Sequence, residues 1–313
     1  MVLGKDSGIY LIDAHYAREQ LASVYLIEEN GKVALVETAH AKSLEFVQSK
    51  LTELGLDAEN VEYIFVTHIH LDHAGGAGSY MQAFPNAKLV VHPKGVRHMI
   101  DPSKLEAGVI AVYGAEFVQN MYGKLESIAP DRVISGENGL VLNLNGRKLV
   151  CYDTPGHANH HNAIWDVKTK SVFTGDVFGI GYPELNVNGQ VFAFPSTSPV
   201  NFDPIKMNQS IDFVVSLNPQ AALLTHFGAV LDVPRMAVDL KRMVDKYVAI
   251  AQKNLARDDR GVMAIKNELV SFVKQEAYDF GVRLSDTKFT EITDVDMQLN
   301  AQGLDVWLSL NQK

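Results

Sequence analysis

Three histidines and one aspartate stand within six consecutive residues of this sequence, inside the segment THIHLDHAGG at 67–76. Neutral imidazole nitrogens and carboxylate oxygens are good ligands for zinc and other first-row divalent ions. The segment directly follows the apolar run 61–66, which predicts a strand, and side chains in a tight turn at a strand end can converge on a metal. The four candidate ligands are His68, His70, Asp72 and His73.

Three further segments place a histidine or an aspartate in a small-residue turn after a predicted strand. Ligands mounted on rigid strands at one sheet edge are a common support for a preorganised metal site. Donors of this kind favour zinc as the bound divalent ion, with iron or manganese as alternatives. The motifs TPGH, TGD and THFG contribute His157, Asp176 and His226.

Three residues are candidates for direct roles in catalysis. A bound metal ion can lower the pKa of a water, and Asp72 would steer the proton of that water. His161, four residues after His157, either hydrogen-bonds a substrate oxygen or braces a ligand. Tyr182, in the glycine-rich loop after Asp176, either donates to a developing oxyanion or is a plain loop residue. The histidines predicted to be structural or on the surface are His15, His40, His92, His98 and His160, of which His40 could reach the edge of the site.

The elements that position these residues follow from turn and periodicity signals. Asn-Gly pairs supply the positive backbone angles of tight hairpin turns, and they predict hairpins over 23–38 and 140–153. A third hairpin is predicted over 163–174, with its turn at 168–170. The order of strands and helices favours an α/β fold, in which two mixed β-sheets are sandwiched between helices. Helices are predicted at 41–54, 78–83, 109–122 and 204–217, and strands at 61–66, 88–91 and 221–225.

The character of the chain changes at Val233. Beyond it, apolar residues recur at helical spacing and mark long amphipathic helices. We therefore predict a catalytic domain at 1–232 and a C-terminal helical extension at 233–313 packed on it. The apolar stripes must be buried, so the extension either covers one rim of the active site or forms a homodimer contact.

Composition limits the possible partners. The chain has 313 residues, 47% hydrophobic and 21% charged, and a formal net charge of -9. This acidic balance favours a small-molecule substrate over a nucleic acid, which binds clustered Lys and Arg. The sequence has no apolar run of the ~18 residues that a membrane helix needs and no secretory signal at 1–20. Together with the single Cys151, this predicts a cytoplasmic protein that makes no membrane contact.

The ordered set HxHxDH, TPGH, TGD and a late histidine resembles the signature of the metallo-β-lactamase superfamily over about residues 20 to 230. The resemblance implies an αββα sandwich with a dinuclear metal site. In this superfamily an aspartate usually ends the strand before the first helix and braces the ligands, whereas Glu37 stands here, which leaves that role open. The implied ligands are His68, His70 and His157 for one metal, Asp72, His73 and His226 for the other, and Asp176 as the bridge.

Within this superfamily the chain resembles the dinuclear-metal hydrolases of the glyoxalase II and lactonase types, which share the complete ligand set. Penicillin-destroying members have a cysteine at the position of Asp176 or lack a bridging carboxylate. Glyoxalase II enzymes continue with Cys-Gly-Arg-Phe after the bridging aspartate, whereas residues 176–183 read DVFGIGYP here. The resemblance thus implies a hydrolase without fixing the substrate.

The loop 178–200 is apolar, contains neither Lys nor Arg and is predicted to line the pocket. Such a wall favours carboxylic esters, thioesters or lactones. A phosphodiesterase of the same fold is the first alternative. A non-hydrolytic diiron redox or oxygen-binding protein is the second, because flavodiiron reductases use this fold. In those reductases the position of His70 is commonly a glutamate, and their flavodoxin domain has no counterpart at 233–313.

Overall fold

The computed structural model describes residues 2–197, 199, 201–255 and 261–311. The chain divides into two compact units. Unit 1 comprises Met1–Asp153, His160–Gly175 and Gln220–Ala229, and unit 2 comprises Thr154–Asn159, Asp176–Pro219 and Val230–Lys313.

The strands of the described residues are β1 (Ile9–Asp13), β2 (Ser23–Glu29), β3 (Lys32–Val36), β4 (Val61–Phe65), β5 (Lys88–Val91), β6 (Val133–Ser135), β7 (Val141–Leu144), β8 (Arg147–Asp153), β9 (Asn162–Asp166), β10 (Ser171–Gly175), β11 (Ile180–Gly181), β12 (Ala193–Phe194), β13 (Ala221–Leu224) and β14 (Gly228–Val230). The α-helices are α1 (Leu44–Glu53), α2 (Leu71–Ala74), α3 (Ala77–Ala83), α4 (Val96–Ile100), α5 (Ser103–Tyr113), α6 (Ala115–Tyr122), α7 (Pro204–Ser216), α8 (Val233–Leu255), α9 (Val262–Phe280) and α10 (Asp286–Asn311).

Two mixed sheets form the centre of unit 1. The first has the order β1-β2-β3-β4-β5-β6, antiparallel from β1 to β3 and parallel from β3 to β6. The second has the order β14-β13-β10-β9-β8-β7, with β10 and β13 parallel. Buried side chains of both sheets form one cluster that includes Tyr25, Phe65, Ile164 and Phe173. A second cluster packs α1 and α3 against the first sheet through residues such as Val47 and the completely buried Tyr80.

The three predicted hairpins are confirmed. Asn30 and Gly31 have φ angles of 48° and 80° between β2 and β3, and Asn145 and Gly146 have 46° and 101° between β7 and β8. The third turn joins β9 and β10, with Lys170 at a φ of 51°. Asn and Gly adopt left-handed conformations most readily, which explains why the first two turns had a clear signal in the sequence.

The predicted helix at 109–122 is wrong in extent. The structure has α5 up to Tyr113 and α6 from Ala115, and Gly114 between them has a φ of 86°. A residue with that backbone conformation ends a right-handed helix, and glycine adopts it without steric cost.

Unit 2 contains the short pair β11 and β12 and the helices α7 to α10. Helices α8, α9 and α10 pack against one another, and α7 packs on α8. The predicted architecture of two mixed sheets with helices and a C-terminal helical region is confirmed, although the sequence patterns missed α10. The division at 232 stays a prediction, since unit 2 also includes Asp176–Pro219. Within the described part of the chain, none of the helices has the length and apolar composition that crossing a membrane requires.

A buried ion pair joins β8 and β9 in unit 1. Arg147 is 2% exposed, and its Nε donates to Asp166 Oδ1 at 3.1 Å. Its Nη1 donates to the carbonyl oxygen of Ser7 at 2.9 Å. Removing one partner of such a pair leaves the other charge unpaired in the core, which lowers the free energy of unfolding by about 3–5 kcal/mol.

We therefore expect Arg147→Met to lower the free energy of unfolding by about 3–5 kcal/mol, measured by urea denaturation. Lys168→Met is the control, because Lys168 is 51% exposed and forms a surface pair with Glu29 that is worth at most about 1 kcal/mol. Equal losses in both variants would contradict a structural role for the buried pair.

Candidate metal centre

The loop after β4 brings three imidazoles of unit 1 together. The chain turns from the end of β4 at Phe65 into the short helix α2, which begins at Leu71. His68 and His73 are completely buried, and their ring centroids lie 3.9 Å apart. His68 Nε2 lies 2.9 Å from His70 Nδ1. The close spacing of these histidines in the sequence thus corresponds to neighbouring imidazole rings in the structure.

Asp72, His73 and His226 form a second group of donors in unit 1. His226 follows β13 by two residues, and Asp72 lies in α2. Oδ2 of Asp72 is 3.3 Å from His226 Nε2 and 3.6 Å from His73 Nε2. One ligand atom from each of the three residues lies within 4.8 Å of the other two, a spacing at which a metal ion can be shared.

Hydrogen bonds fix which ring nitrogens of this group carry protons. His73 Nδ1 lies 2.9 Å from Oε1 of Glu37, and His226 Nδ1 lies 2.8 Å from the carbonyl oxygen of Leu21. Both partners can only accept, so each neutral ring donates from Nδ1 and keeps the lone pair on Nε2. That lone pair faces Asp72, which is the tautomer that metal-ligating histidines adopt when their other nitrogen is held from behind.

Glu37 has the bracing role that the sequence left open. Its side chain is completely buried, and its backbone has a φ of 74°. Besides His73, its carboxylate accepts from the hydroxyl of Thr67 at 2.6 Å and from the hydroxyl of Thr225 at 3.0 Å. These donors follow β4 and β13, and Glu37 itself follows β3, so one carboxylate ties together the ends of three strands and orients a candidate ligand.

His157 and Asp176 form a pair in unit 2. His157 Nε2 lies 3.5 Å from Oδ2 of Asp176, and the two residues are 3% and 4% exposed. His157 Nδ1 donates to the carbonyl oxygen of Ser196 at 3.1 Å, so its lone pair also faces a carboxylate. The hydroxyl of Ser196 donates to Oδ2 of Asp176 at 3.4 Å. Ser196 thus contacts both members of the pair.

Close packing positions the turn that carries His157. Gly156 has a φ of 137°, and a Cβ atom there would lie 2.3 Å from the Cα atom of Met207. Its carbonyl oxygen accepts from the backbone N–H of Asp203 at 2.9 Å. The TPGH turn therefore needs glycine at its third position, since any side chain would displace α7.

The donor atoms within each unit fit a divalent first-row ion. Ligand atoms bound at about 2.0–2.1 Å to one tetrahedral ion lie about 3.3 Å apart. A set of imidazoles and carboxylates without thiolate suits zinc, iron or manganese. The observed separations are 2.9 Å for His68 and His70, 3.3 Å for Asp72 and His226, 3.5 Å for His157 and Asp176, and 3.6 Å for Asp72 and His73.

The other two predicted catalytic residues are both buried. The ring of His161 lies 5.1 Å from that of His68, and a Cβ atom on Gly175 would lie 2.5 Å from its Nε2. Tyr182 is 2% exposed, and its hydroxyl donates to Oδ2 of Asp296 at 3.0 Å. The structure thus places His161 beside the candidate ligands of unit 1. Tyr182 instead forms a hydrogen bond to Asp296 of α10.

The remaining histidines have varied surroundings. His92 Nε2 lies 3.1 Å from Oδ1 of Asp153, and its Nδ1 accepts from the backbone of Lys94. Burial lowers the pKa of His40, which keeps its ring neutral at pH 7. His160 differs, because its ring lies 5.5 Å from that of His70. This proximity was missed, since position in the sequence alone does not separate His160 from the others.

The apolar loop predicted to line a pocket is part of the core of unit 2. Phe192 packs on Phe280 with ring centroids 5.6 Å apart, and the ring of Tyr182 lies 6.3 Å from that of Phe194. Hydrophobic side chains that are removed from water in this way stabilise the fold and offer little surface to a substrate. The predicted lining residues Phe178, Ile180, Tyr182, Leu185, Phe192 and Phe194 are all between 0% and 5% exposed.

Comparisons with known proteins bear on the family and the fold of this chain. Residues 17–226 match the sequence profile of the metallo-beta-lactamase superfamily. A metallo-beta-lactamase fold-containing protein of Sulfurisphaera tokodaii is 29% identical over 192 residues, which are 60% of this chain and 68% of that protein.

Solved structures share the fold. An archaeal metallo-beta-lactamase superfamily protein from Sulfolobus tokodaii has a TM-score of 0.65 at 23% identity, with 95% of this chain and 98% of that chain covered. A peroxy diiron species of a chemotaxis sensor has a TM-score of 0.55 at 14% identity, with 76% of this chain and 92% of that chain covered. Since the superfamily profile spans residues 17–226, well over half of the sequence, this chain belongs to the metallo-β-lactamase superfamily.

Proposed function

We propose that this chain is a metal-dependent hydrolase that acts on a small molecule. One observation carries the proposal: three buried imidazoles each donate from Nδ1 to a fixed acceptor and direct Nε2 towards a carboxylate. These are His73, His226 and His157. Holding a ring this way raises its basicity and fixes its orientation before a metal binds. The proposed ligands are His68, His70, Asp72, His73, His157, Asp176 and His226.

One argument supports assigning all seven residues to one dinuclear centre: the ligands occur in the order typical of the superfamily. When bound, two divalent ions would lower the pKa of a water and polarise the scissile group.

We assign separate roles to the three candidate catalytic residues, Asp72, His161 and Tyr182. Asp72 has a side chain that is 30% exposed, whereas its neighbour His73 is completely buried. A partly exposed carboxylate can accept and release the proton of the attacking water, and we assign that role to Asp72. His161, which is completely buried beside His68, suits bracing better than substrate contact. We assign Tyr182 to anchoring its loop, because its proton is already donated to Asp296.

Charge supports an acyl substrate over a phosphodiester. All four segments that carry the ligands, 66–87, 154–167, 171–205 and 221–234, lack Lys and Arg. Phosphate recognition normally uses cationic side chains, and a formal net charge of -9 adds repulsion. We therefore propose carboxylic esters, thioesters or lactones as the substrate class.

A panel of chromogenic acyl esters, thioesters, lactones and a bis-aryl phosphodiester tests the proposal. We expect zinc-loaded protein to turn over one of the acyl classes, and His70→Ala to lose at least about 10-fold in rate, since outer-shell changes alone cost that much. Turnover of the phosphodiester alone would overturn the choice of substrate. If no compound is hydrolysed in a metal-dependent way, the hydrolase proposal fails.

A non-hydrolytic diiron protein is the second candidate, favoured by the structural likeness to the diiron chemotaxis sensor. Histidine and carboxylate ligands accept iron as well as zinc. A visible absorption band in the purified protein would favour this candidate, because zinc has none. A colourless protein with metal-dependent hydrolysis would exclude it.

A further inference from the structure

Asn300 of α10 holds the segment 195–197 from both sides. The side chain is 2% exposed, its Oδ1 accepts from the backbone N–H of Thr197 at 2.7 Å, and its Nδ2 donates to the carbonyl oxygen of Pro195 at 3.0 Å. The hydroxyl of Thr197 also donates to the backbone carbonyl oxygen of Asn300 at 2.9 Å. A buried amide with donor and acceptor both paired to backbone is a rigid clamp.

The residue between the two clamped positions is Ser196. Its carbonyl oxygen accepts the Nδ1 proton of His157, and its hydroxyl donates to Asp176. Because the peptide groups on each side of Ser196 are fixed, the direction of its carbonyl group is fixed as well. That direction determines where His157 can donate and therefore which ring nitrogen is left for a metal.

The same helix holds the start of the loop. Asp296 lies one helical turn before Asn300, and it accepts from the hydroxyl of Tyr182 at 3.0 Å. Further along the loop, Arg235 of α8 donates to the carbonyl oxygen of Val191 at 3.1 Å. The C-terminal helices thus anchor the loop that begins at Asp176 at several points.

We infer that Asn300 is a positioning residue of the metal centre, and that it acts on His157 and Asp176 through Ser196. The C-terminal helical region then belongs to the machinery that orients metal ligands. This inference rests on the proposed function, since it assumes that His157 and Asp176 bind metal.

The test measures metal affinity rather than activity. We expect Asn300→Ala to weaken Zn2+ binding by about 10- to 100-fold in a competition titration against a chromogenic chelator, as loss of a ligand's supporting contact does. The visible spectrum of the Co2+-loaded variant should also change, because ligand geometry sets that spectrum. Thr293→Ala is the matched control: Thr293 is completely buried in α10, but its hydroxyl donates only within its own helix, to Phe289.

A milder variant protects the test against misfolding. Thr197→Val keeps the shape of the side chain and removes its hydroxyl bond to Asn300, so we expect a smaller loss of Zn2+ affinity with little change in melting temperature. If Asn300→Ala and Thr197→Val both bind Zn2+ as tightly as Thr293→Ala, the inference is overturned while the proposed function survives. If the wild-type protein binds no metal, both fail.

Discussion

Asp176→Ala is expected to lose both metal ions and to reduce the proposed hydrolysis by more than about 100-fold, because a residue proposed to bridge two ions should matter more than an outer contact. The carboxylate is 4% exposed and faces His157 Nε2 at 3.5 Å. No other carboxylate stands in the TGD turn to replace it. Elemental analysis of protein never exposed to chelator should return close to two metals per chain for the wild type and well below one for the variant.

Asp212→Ala is the matched control for Asp176→Ala. Asp212 also lies in unit 2, on α7, but it is 61% exposed and pairs with Lys241 at 2.6 Å. A surface pair of this kind contributes at most about 1 kcal/mol, so metal content should not change. If Asp176→Ala kept one ion at full occupancy, the residue would serve a single metal and our assignment of the bridge would be wrong.

The parts of this protein that could be predicted from sequence are those with strong local signals. Asn145-Gly146 specifies a tight hairpin turn because both residues adopt positive φ angles, and the structure has that turn between β7 and β8. The HxHxDH motif could be recognised because three imidazoles and a carboxylate within six residues are typical of a metal site. Side-chain type and spacing carry that information directly.

The parts that escaped prediction depend on partners distant in sequence. Glu37 contacts Thr225, which is 188 positions away, and no local pattern announces that pairing. The contact of His157 with Ser196 uses a backbone carbonyl oxygen, which every residue possesses. The sequence patterns missed helix α10, because the buried polar residue Asn300 interrupts its apolar stripe. That interruption is the same feature that gives Asn300 its contacts with 195–197.

The burial of the loop 178–200 could not be predicted from its composition. The apolar composition of 178–200 suits either a substrate pocket or a hydrophobic core, and sequence cannot separate the two. The structure places Phe192 against Phe280 of α9, so the core explains these residues. The proposed substrate class then rests on the lack of Lys and Arg in the segments that carry the ligands, which can be read from the sequence.

Glu37→Gln should produce the second large effect, on metal affinity and stability together. The buried carboxylate accepts from Thr67, His73 and Thr225. All three donors contact Oε1, whereas Oε2 accepts from the backbone N–H of Thr67 at 3.2 Å. An amide has one accepting oxygen, so a glutamine that keeps the three bonds at Oε1 turns its NH2 group towards the Thr67 N–H. We expect the free energy of unfolding of the metal-free protein to fall by about 1–3 kcal/mol, since at least one buried donor loses its acceptor.

The effect on metal binding has a specific direction. In the Glu37→Gln variant, His73 Nδ1 donates to a neutral amide oxygen in place of a carboxylate. A carboxylate behind a ligating imidazole raises the basicity of its other ring nitrogen, so Nε2, which faces Asp72, becomes a weaker ligand. We therefore expect Zn2+ affinity to fall by about 10- to 100-fold, measured by competition titration, with the loss at the ion proposed for Asp72 and His226.

Two variants separate bracing of His73 from general damage to the fold. Thr225→Val removes one donor to Glu37 at 3.0 Å but leaves the contact with His73, so its Zn2+ affinity should fall by less than about 10-fold. Glu37→Asp keeps the charge on a side chain one methylene shorter, and should lie between Glu37→Gln and the wild type. If Glu37→Gln loses stability but binds two Zn2+ ions as tightly as the wild type, Glu37 supports only the fold and does not support the metal ligand His73.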